Sequence, residues 1–161
     1  MSALVLAIRL WSTWPDLVDP AQALAHVRAA QAAATPTLPA ELLLGMAYVE
    51  SRFQPDAVSR VRGSVFCGAI QARARTRRHP RYPTCAELAD LPTAYAAGVA
   101  EIERWLVRTK GNVNRALAGH GCGNRGLVTG CRRYAARVRY RASQLTGGTH
   151  TATTHLIKTS S

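Results

Sequence analysis

The sequence predicts an all-α fold built as a single domain, and three of its properties carry that prediction. The chain has 161 residues, a length at which one domain buries roughly two-thirds of the surface of its unfolded chain. Alanine and leucine, which favour helices, are abundant, and runs of β-branched residues are few. Apolar residues recur at helical spacing in several stretches that prolines and glycines separate.

Residues 1–35 contain two predicted helices, one running through Trp11 and one covering residues 20–34. The apolar run at the start has no basic residue before it and is interrupted by Arg9, so it is not typical of a secretory signal. It is also too short to span a membrane. We therefore interpret residues 1–35 as a helical extension that docks on a domain of residues 36–146.

A third helix, from about Pro39 to Phe53, is predicted to be the buried centre of that domain. Proline suits the first turn of a helix, and the pair Gln54-Pro55 ends one. Its core stripe consists of Leu42, Met46, Val49 and Phe53. Further apolar residues widen this stripe beyond what a surface helix needs, so we expect the helix to be mostly buried.

Glu50 is the candidate catalytic residue, because it is a carboxyl group near the end of this apolar helix. Removal from water disfavours the charged form of a carboxyl group and favours the proton-carrying form that a general acid needs. The alternative is a helix-terminal Glu that points to solvent or pairs with one of the many arginines.

The second half of the chain is predicted to add three helices. The first opens at Pro92 and stops at Gly111. It repeats the apolar spacing of the third helix at Tyr95, Val99, Ile102 and Leu106, and Glu101 is predicted to lie outside this stripe. Asn112 caps a short helix that extends through Leu117, and the last helix covers residues 132–145.

The segment from Gly119 to Gly130 contains five glycines, so we expect a loop whose backbone can lie close to a ligand. His120 lies in this segment as a candidate sugar contact or modulator of Glu50, the alternative being an incidental loop histidine. Residues 147–161 are rich in Thr and Ser and are predicted to form a flexible tail.

The chain is strongly basic, with 21 Lys and Arg against 9 Asp and Glu and a net charge of +12. Residues 52–82 hold eight arginines and one acid, Asp56, which indicates either a solvated basic face or a lip that holds an anionic polymer near Glu50. Nucleic acid and anionic cell-wall polymers would both suit this charge. The chain lacks a nucleic-acid-binding motif, which disfavours the first.

Three linked motifs resemble the soluble lytic transglycosylases, which are relatives of goose-type lysozyme. They are Glu50-Ser51 with the following Asp56-Ala57-Val58-Ser59, then Gly68-Ala69-Ile70-Gln71, and the block from Gly111 to Gly123. Tyr134 stands where that family places a late tyrosine facing its catalytic Glu. The resemblance spans about residues 38–145.

The resemblance implies a lysozyme-like fold and an enzyme that cleaves peptidoglycan glycan strands without a cofactor. It implies Glu50 as the catalytic residue, and its further candidates are substrate contacts at Ser51, Gln71, His120 and Tyr134 and a site-ordering role for Ser59. In that family one Glu protonates the oxygen between N-acetylmuramic acid and N-acetylglucosamine, then accepts a proton from the muramyl C6 hydroxyl, which closes a 1,6-anhydro ring. A conventional glycosidase needs two carboxyl groups, and acids are scarce near Glu50.

Two departures from the family pattern concern the substrate groove. His120-Gly121 replaces a family Tyr-Asn pair, and Ala69-Ile70 replaces Leu-Met before the glutamine. The first exchange removes a phenol and an amide that would line the groove. Three other functions therefore stay open, namely a goose-type-like muramidase that uses water at the same bond, an inactive cell-wall-binding module, and a basic nucleic-acid-binding protein.

The four cysteines allow three pairings if all are bridged. The simplest is sequential, Cys67 with Cys85 and Cys122 with Cys131, with each bridge clamping a loop beside the groove. Four reduced thiols are the alternative, because no signal peptide indicates an oxidising compartment. No metal site is predicted, since zinc-type spacings of Cys and His do not occur. Action at the cell wall or periplasm would then suit an enzyme carried in a phage particle or released by a partner.

Overall fold

The computed structural model describes residues 1–123 and 129–146, and in these ranges it contains seven helices and a three-stranded sheet. In chain order the elements are α1 (Ala3–Thr13), α2 (Pro20–Ala33), α3 (Ala40–Ser51), β1 (Val58–Val61), β2 (Ser64–Cys67), β3 (Ala72–Arg73), α4 (Cys85–Leu88), α5 (Leu91–Arg108), α6 (Val113–Cys122) and α7 (Thr129–Thr146). The predicted helical class is confirmed, and the small sheet and α4 are additions to it.

Helix α3 is the centre of the core, as its sequence predicts. Its middle residues, from Leu43 to Ala47, are buried on all sides between α2 and α7. Gly45 lies directly against the backbone of α7, because a Cβ atom there would overlap the carbonyl oxygen of Val138 and the amide nitrogen of Ala142. The two helices therefore cross at backbone contact distance.

The N-terminal helices pack on this centre. Asp19 caps α2 through a capping box with Gln22. Trp14, which follows α1, is buried with its ring centre 4.7 Å from that of Tyr48 and 5.5 Å from that of Phe53. Helix α1 also reaches α7, where a guanidinium nitrogen of Arg9 donates to the carbonyl oxygen of Leu145 at 3.1 Å.

A buried histidine of α2 fixes the chain where it leaves α3. Arg52 and Phe53 both have positive φ, 56° and 66°, so the chain reverses direction immediately after the helix. His26 Nε2 lies 3.1 Å from the carbonyl oxygen of Phe53, and its Nδ1 lies 3.0 Å from the hydroxyl of Tyr95 on α5. Burial lowers the pKa of His26 to about 4, against the weaker opposing effect of the Phe53 bond.

The Arg-rich connection after α3 folds into an antiparallel sheet that the sequence analysis did not predict. Val61 pairs with Ser64 across a two-residue turn, Arg62-Gly63, in which both residues have positive φ, 51° and 78°. This geometry is that of a tight hairpin turn. Strand β2 then pairs with β3. The strands have four residues or fewer, which leaves little alternating pattern to recognise.

Both sequential cysteine pairs lie at disulfide-bonding distance. Cys67 of β2 and Cys85 of α4 have Cα atoms 5.3 Å apart, and Cys122 of α6 and Cys131 of α7 have Cα atoms 5.9 Å apart. The first bridge ties the sheet to the α4–α5 region, and the second ties the end of α6 to α7.

The expectation of a glycine-rich loop starting at Gly119 is wrong for its first part. Helix α6 continues to Cys122, so His120 is a helical residue. A Cβ atom on Gly119 would overlap the indole of Trp105, and one on Gly121 would overlap the ring of Tyr134. These glycines therefore allow close packing of aromatic rings on α6. Residues 124–128 of the predicted loop and the predicted tail, 147–161, lie outside the described residues.

Candidate active site

A groove of about 930 Å³ runs between the sheet, α5 and α6. Its volume is near the upper end of the range usual for ligand pockets. The lining includes Glu50 from α3, Ser59 and Gln71 from the sheet region, Glu101 from α5 and His120 from α6. Cys122 and Cys131 also line it, so six of the residues singled out from the sequence line one groove.

Glu50 lies in the last turn of α3, with 18% of its side chain exposed. The hydroxyl of Tyr134 on α7 donates a hydrogen bond to its Oε1 atom. His120 Nε2 lies 3.6 Å from the same oxygen. Burial and the nearby charge of Glu50 raise the pKa of Tyr134 well above 10, so this phenol is a hydrogen-bond donor at neutral pH.

His120 connects Glu50 to a second carboxyl group, Glu101. Its Nδ1 atom lies 3.3 Å from Glu101 Oε2, and its side chain is only 4% exposed. Burial alone would lower the pKa of His120, but the Glu101 hydrogen bond and the charges of Glu50 and Glu101 outweigh burial and raise this pKa above 6.5. Two carboxyl groups thus flank one buried imidazole.

Glu101 is itself fully engaged by its neighbours. Its Oε1 atom accepts a hydrogen bond of 3.0 Å from the backbone nitrogen of Arg73, and the Arg104 guanidinium lies 3.8 Å away. Burial would raise the pKa of Glu101, yet the His120 hydrogen bond and charge, the Arg73 bond and Arg104 together lower it. Glu101 is therefore ionised at neutral pH.

The sequence analysis missed Glu101 and placed it on the outer side of α5. The structure shows it on the same side as Ala94 and Gly98, which are buried and lie seven and three residues before it. Small residues at this helical spacing mark a face of close approach. A charged residue on the same face as these small residues is the sequence signal by which Glu101 could have been identified.

Ser51 and Gln71 join the end of α3 to the sheet. The Ser51 hydroxyl donates to the carbonyl oxygen of Ala69 at 2.8 Å. The Gln71 amide nitrogen donates to the carbonyl oxygens of Ala57 and Gly68 at 3.0 and 3.1 Å. Gln71 also lines the groove, whereas the Ser51 hydroxyl is directed to backbone. Ser59 is exposed on β1 at the groove.

Arginines and aromatic rings form one side of the groove. The guanidinium groups of Arg73 and Arg104 each lie 5.8 Å from the ring centre of Tyr82, and that of Arg108 lies 5.1 Å from the ring of Trp105. All five side chains line the groove. A guanidinium held against a ring keeps its donors in a fixed plane, which suits pairing with carboxylates or phosphates.

Two further kinds of feature concern residues 1–123 and 129–146, a metal site and a membrane-spanning helix. In this part of the chain no group of three or more His, Cys, Asp or Glu side chains is arranged to hold a metal ion. None of the helices described combines the length and apolarity needed to cross a membrane.

Comparison with known proteins gives one family match. The family model described as "Transglycosylase SLT domain" matches residues 28–137, which is more than half of the chain. The matched range extends from α2 into α7 and includes Glu50, Glu101, His120 and Tyr134. No curated protein and no solved structure gives a significant match.

Proposed function

Because this chain belongs to the SLT transglycosylase family, whose substrate is peptidoglycan, we propose that it is a lytic transglycosylase in which Glu50 acts first as acid and then as base. The bond cleaved is the β-1,4 bond between N-acetylmuramic acid and N-acetylglucosamine. The observation that carries the proposal is the position of Glu50, in the groove with Oε1 held by Tyr134 and close to His120.

In the first step the Glu50 carboxyl group gives its proton to the glycosidic oxygen. The bond from that oxygen to C1 of the muramyl residue breaks, and the N-acetylglucosamine end leaves with a new hydroxyl group. Positive charge develops on the muramyl ring, and Glu50 is left as a carboxylate. In the second step this carboxylate accepts the proton of the muramyl C6 hydroxyl, whose oxygen bonds to C1 and closes the 1,6-anhydro ring. Water is not consumed, and Glu50 regains its proton.

The arrangement of carboxyl groups supports chemistry with a single acid. Glu101 is the other carboxyl group of the described groove lining, and its oxygens are already paired with His120, Arg73 and Arg104. A glycosidase of the two-carboxylate type needs its second carboxylate free to act as nucleophile or to activate water. Glu50 is therefore the group able to exchange protons with a glycan.

The charge of the groove supports a polyanionic substrate. Arg73, Arg104 and Arg108 stand beside Tyr82 and Trp105 along one wall. Peptidoglycan strands carry the lactyl group and peptide carboxylates, and arginine pairs with carboxylates in two parallel hydrogen bonds. We expect this wall to hold the strand while Glu50 acts on the glycosidic bond.

The decisive experiment digests purified sacculi with the wild type and with Glu50→Gln, and analyses the products by mass spectrometry. We expect the wild type to release 1,6-anhydromuramyl ends and the variant to be at least about 100-fold slower, since a positioned general acid or base contributes roughly that much or more. Glu41→Gln is the matched control, because it makes the same change in the first turn of the same helix.

Each outcome of this digest has one interpretation. Cleavage by Glu50→Gln at the wild-type rate would remove Glu50 from the mechanism. Reducing ends in place of anhydro ends would mean that water takes the place of the C6 hydroxyl, as in a muramidase. Binding to sacculi without release of fragments by the wild type would identify an inactive wall-binding module.

A further inference from the structure

His120 is a nearly enclosed polar side chain of the groove, and each of its ring nitrogens lies near a carboxylate. Nε2 lies 3.6 Å from Glu50 Oε1, and Nδ1 lies 3.3 Å from Glu101 Oε2. With 4% of its side chain exposed, the ring has neither nitrogen free for a sugar hydroxyl. Of the two roles that the sequence left open for His120, the geometry thus favours one exerted through Glu50 over a direct sugar contact.

The charged and titratable groups around His120 come from four elements. Glu50 approaches from α3, Glu101 and Arg104 from α5, Tyr134 from α7, and Arg73 from β3. Arg104 contacts Glu101 through its guanidinium group, Arg73 contacts it only through its backbone nitrogen, and Tyr134 contacts Glu50. The groups that face the imidazole nitrogens are the two carboxylates and the backbone of Ile70, which also favours the charged ring.

We propose that His120, kept as an imidazolium by Glu101, is a positioning residue that stabilises the Glu50 carboxylate between its two proton transfers. This inference rests on the proposed function. Its physical basis is the charge of the cluster, because Glu50 changes from neutral to negative during the reaction while Glu101 stays negative. A cation fixed beside Glu50 opposes the accumulation of two negative charges and acts most strongly when Glu50 is ionised.

The arrangement also gives Glu101 a role. Burial disfavours an imidazolium, so a histidine at this position without a second carboxylate would have its pKa lowered. Glu101 offsets that effect, and its own charge is secured by the backbone nitrogen of Arg73 and by Arg104. Glu101 therefore acts indirectly, through His120, on Glu50, which exchanges protons with the substrate.

The direct test is an NMR titration of the His120 imidazole in the full chain. We expect the wild-type midpoint to lie above 6.5 and to fall in Glu101→Gln, and also to fall in Glu50→Gln, because each change removes a carboxylate that holds the proton. His26 provides an internal reference, since its pKa is about 4 and it lies away from the groove lining. A wild-type midpoint below 6.5 would overturn the inference.

The kinetic test compares kcat against pH for two variants that fail in opposite ways. Glu101→Gln should lose about 10- to 100-fold at pH 7 to 8 and recover to within about threefold at acid pH, where the imidazolium forms without help. His120→Gln should show its largest loss at acid and neutral pH and approach the wild type at alkaline pH, where the wild type also lacks the imidazolium. KM should change little in both variants, because neither side chain contacts the substrate.

Controls separate this electrostatic role from a packing role. Glu103→Gln makes the same change on the exposed face of α5 and should follow the wild-type profile. A loss in Glu101→Gln that is the same at every pH would indicate packing alone and overturn the inference. If either variant unfolds, the titrations of the wild type and Glu50→Gln still decide. Full cleavage by Glu50→Gln would instead reject the proposed function, whatever His120 does.

Discussion

Acid is expected to weaken this fold in part through the buried His26. In the folded chain its Nε2 atom faces the carbonyl oxygen of Phe53, which accepts, and its Nδ1 atom faces the hydroxyl of Tyr95. Nε2 must therefore carry the hydrogen, and the neutral ring satisfies both partners. The proposed perturbation is a fall in pH from 7 to 4, measured in the wild type and in His26→Gln, whose amide offers a donor and an acceptor without titrating.

The magnitude follows from the pKa of His26, which burial lowers from 6.5 to about 4. Between these values the unfolded chain binds a proton that the folded chain does not, so the free energy of unfolding decreases as the pH falls. The expected loss is about 2 kcal/mol at pH 5 and about 3 kcal/mol below pH 4, at roughly 1.4 kcal/mol for each pKa unit. His120, whose pKa is raised, contributes stability that is present at acid pH and lost as the pH rises, and it is common to both proteins.

Urea unfolding followed by circular dichroism at pH 7, 6, 5 and 4 measures the difference. We expect His26→Gln to be less stable than the wild type at pH 7, because an amide fills less of the space, and the gap to close by about 2 kcal/mol at pH 5. Curves for the two proteins that remain parallel over this range would refute the assignment of a neutral, buried His26.

Two other predictions concern the site and its bridges. Tyr134→Phe keeps the ring but removes the hydrogen bond to Glu50. The loss of a hydrogen bond to a charged group predicts a fall in kcat on sacculi of about 10- to 100-fold. An unchanged kcat would mean that the phenol takes no part in the mechanism. Replacing Cys67 and Cys85 with alanine should lower the free energy of unfolding by about 3 kcal/mol, as expected for a loop of 18 residues. If the variant is as stable as the wild type and the wild type contains free thiols, this pair is not bridged.

Local signals in the sequence were sufficient to predict the element that carries Glu50. Pro39 is the N-cap of α3, and the helix ends at Ser51, within two residues of the predicted end. Asn112 caps α6 through its side chain, as predicted. Such signals succeed because capping and proline geometry depend on neighbours in sequence and not on tertiary contacts.

Partners from distant elements were harder to predict. Glu101 is a site residue only because α6 brings His120 against α5, and spacing along α5 alone left it outside the apolar stripe. The glycines that flank His120 predict a loop at this position. Those glycines serve ring packing in a helix, which the residue type alone does not reveal. The sheet escaped prediction because its turn is Arg-Gly and its strands are very short.

The contact at Gly45 limits how far Glu50 and Tyr134 can move relative to each other. Glu50 stands five residues beyond Gly45 on α3, and Tyr134 stands four residues before Val138 on α7. The point where the two helices touch is therefore only about 6 to 8 Å along each helix axis from Glu50 and Tyr134. Because this distance is short, a small rotation of α3 against α7 moves the Tyr134 phenol only slightly relative to the Glu50 carboxyl group. Gly45 has no side chain to shorten and no room for a longer one, so we expect changes in activity during evolution to come from the sheet and α5 side of the groove.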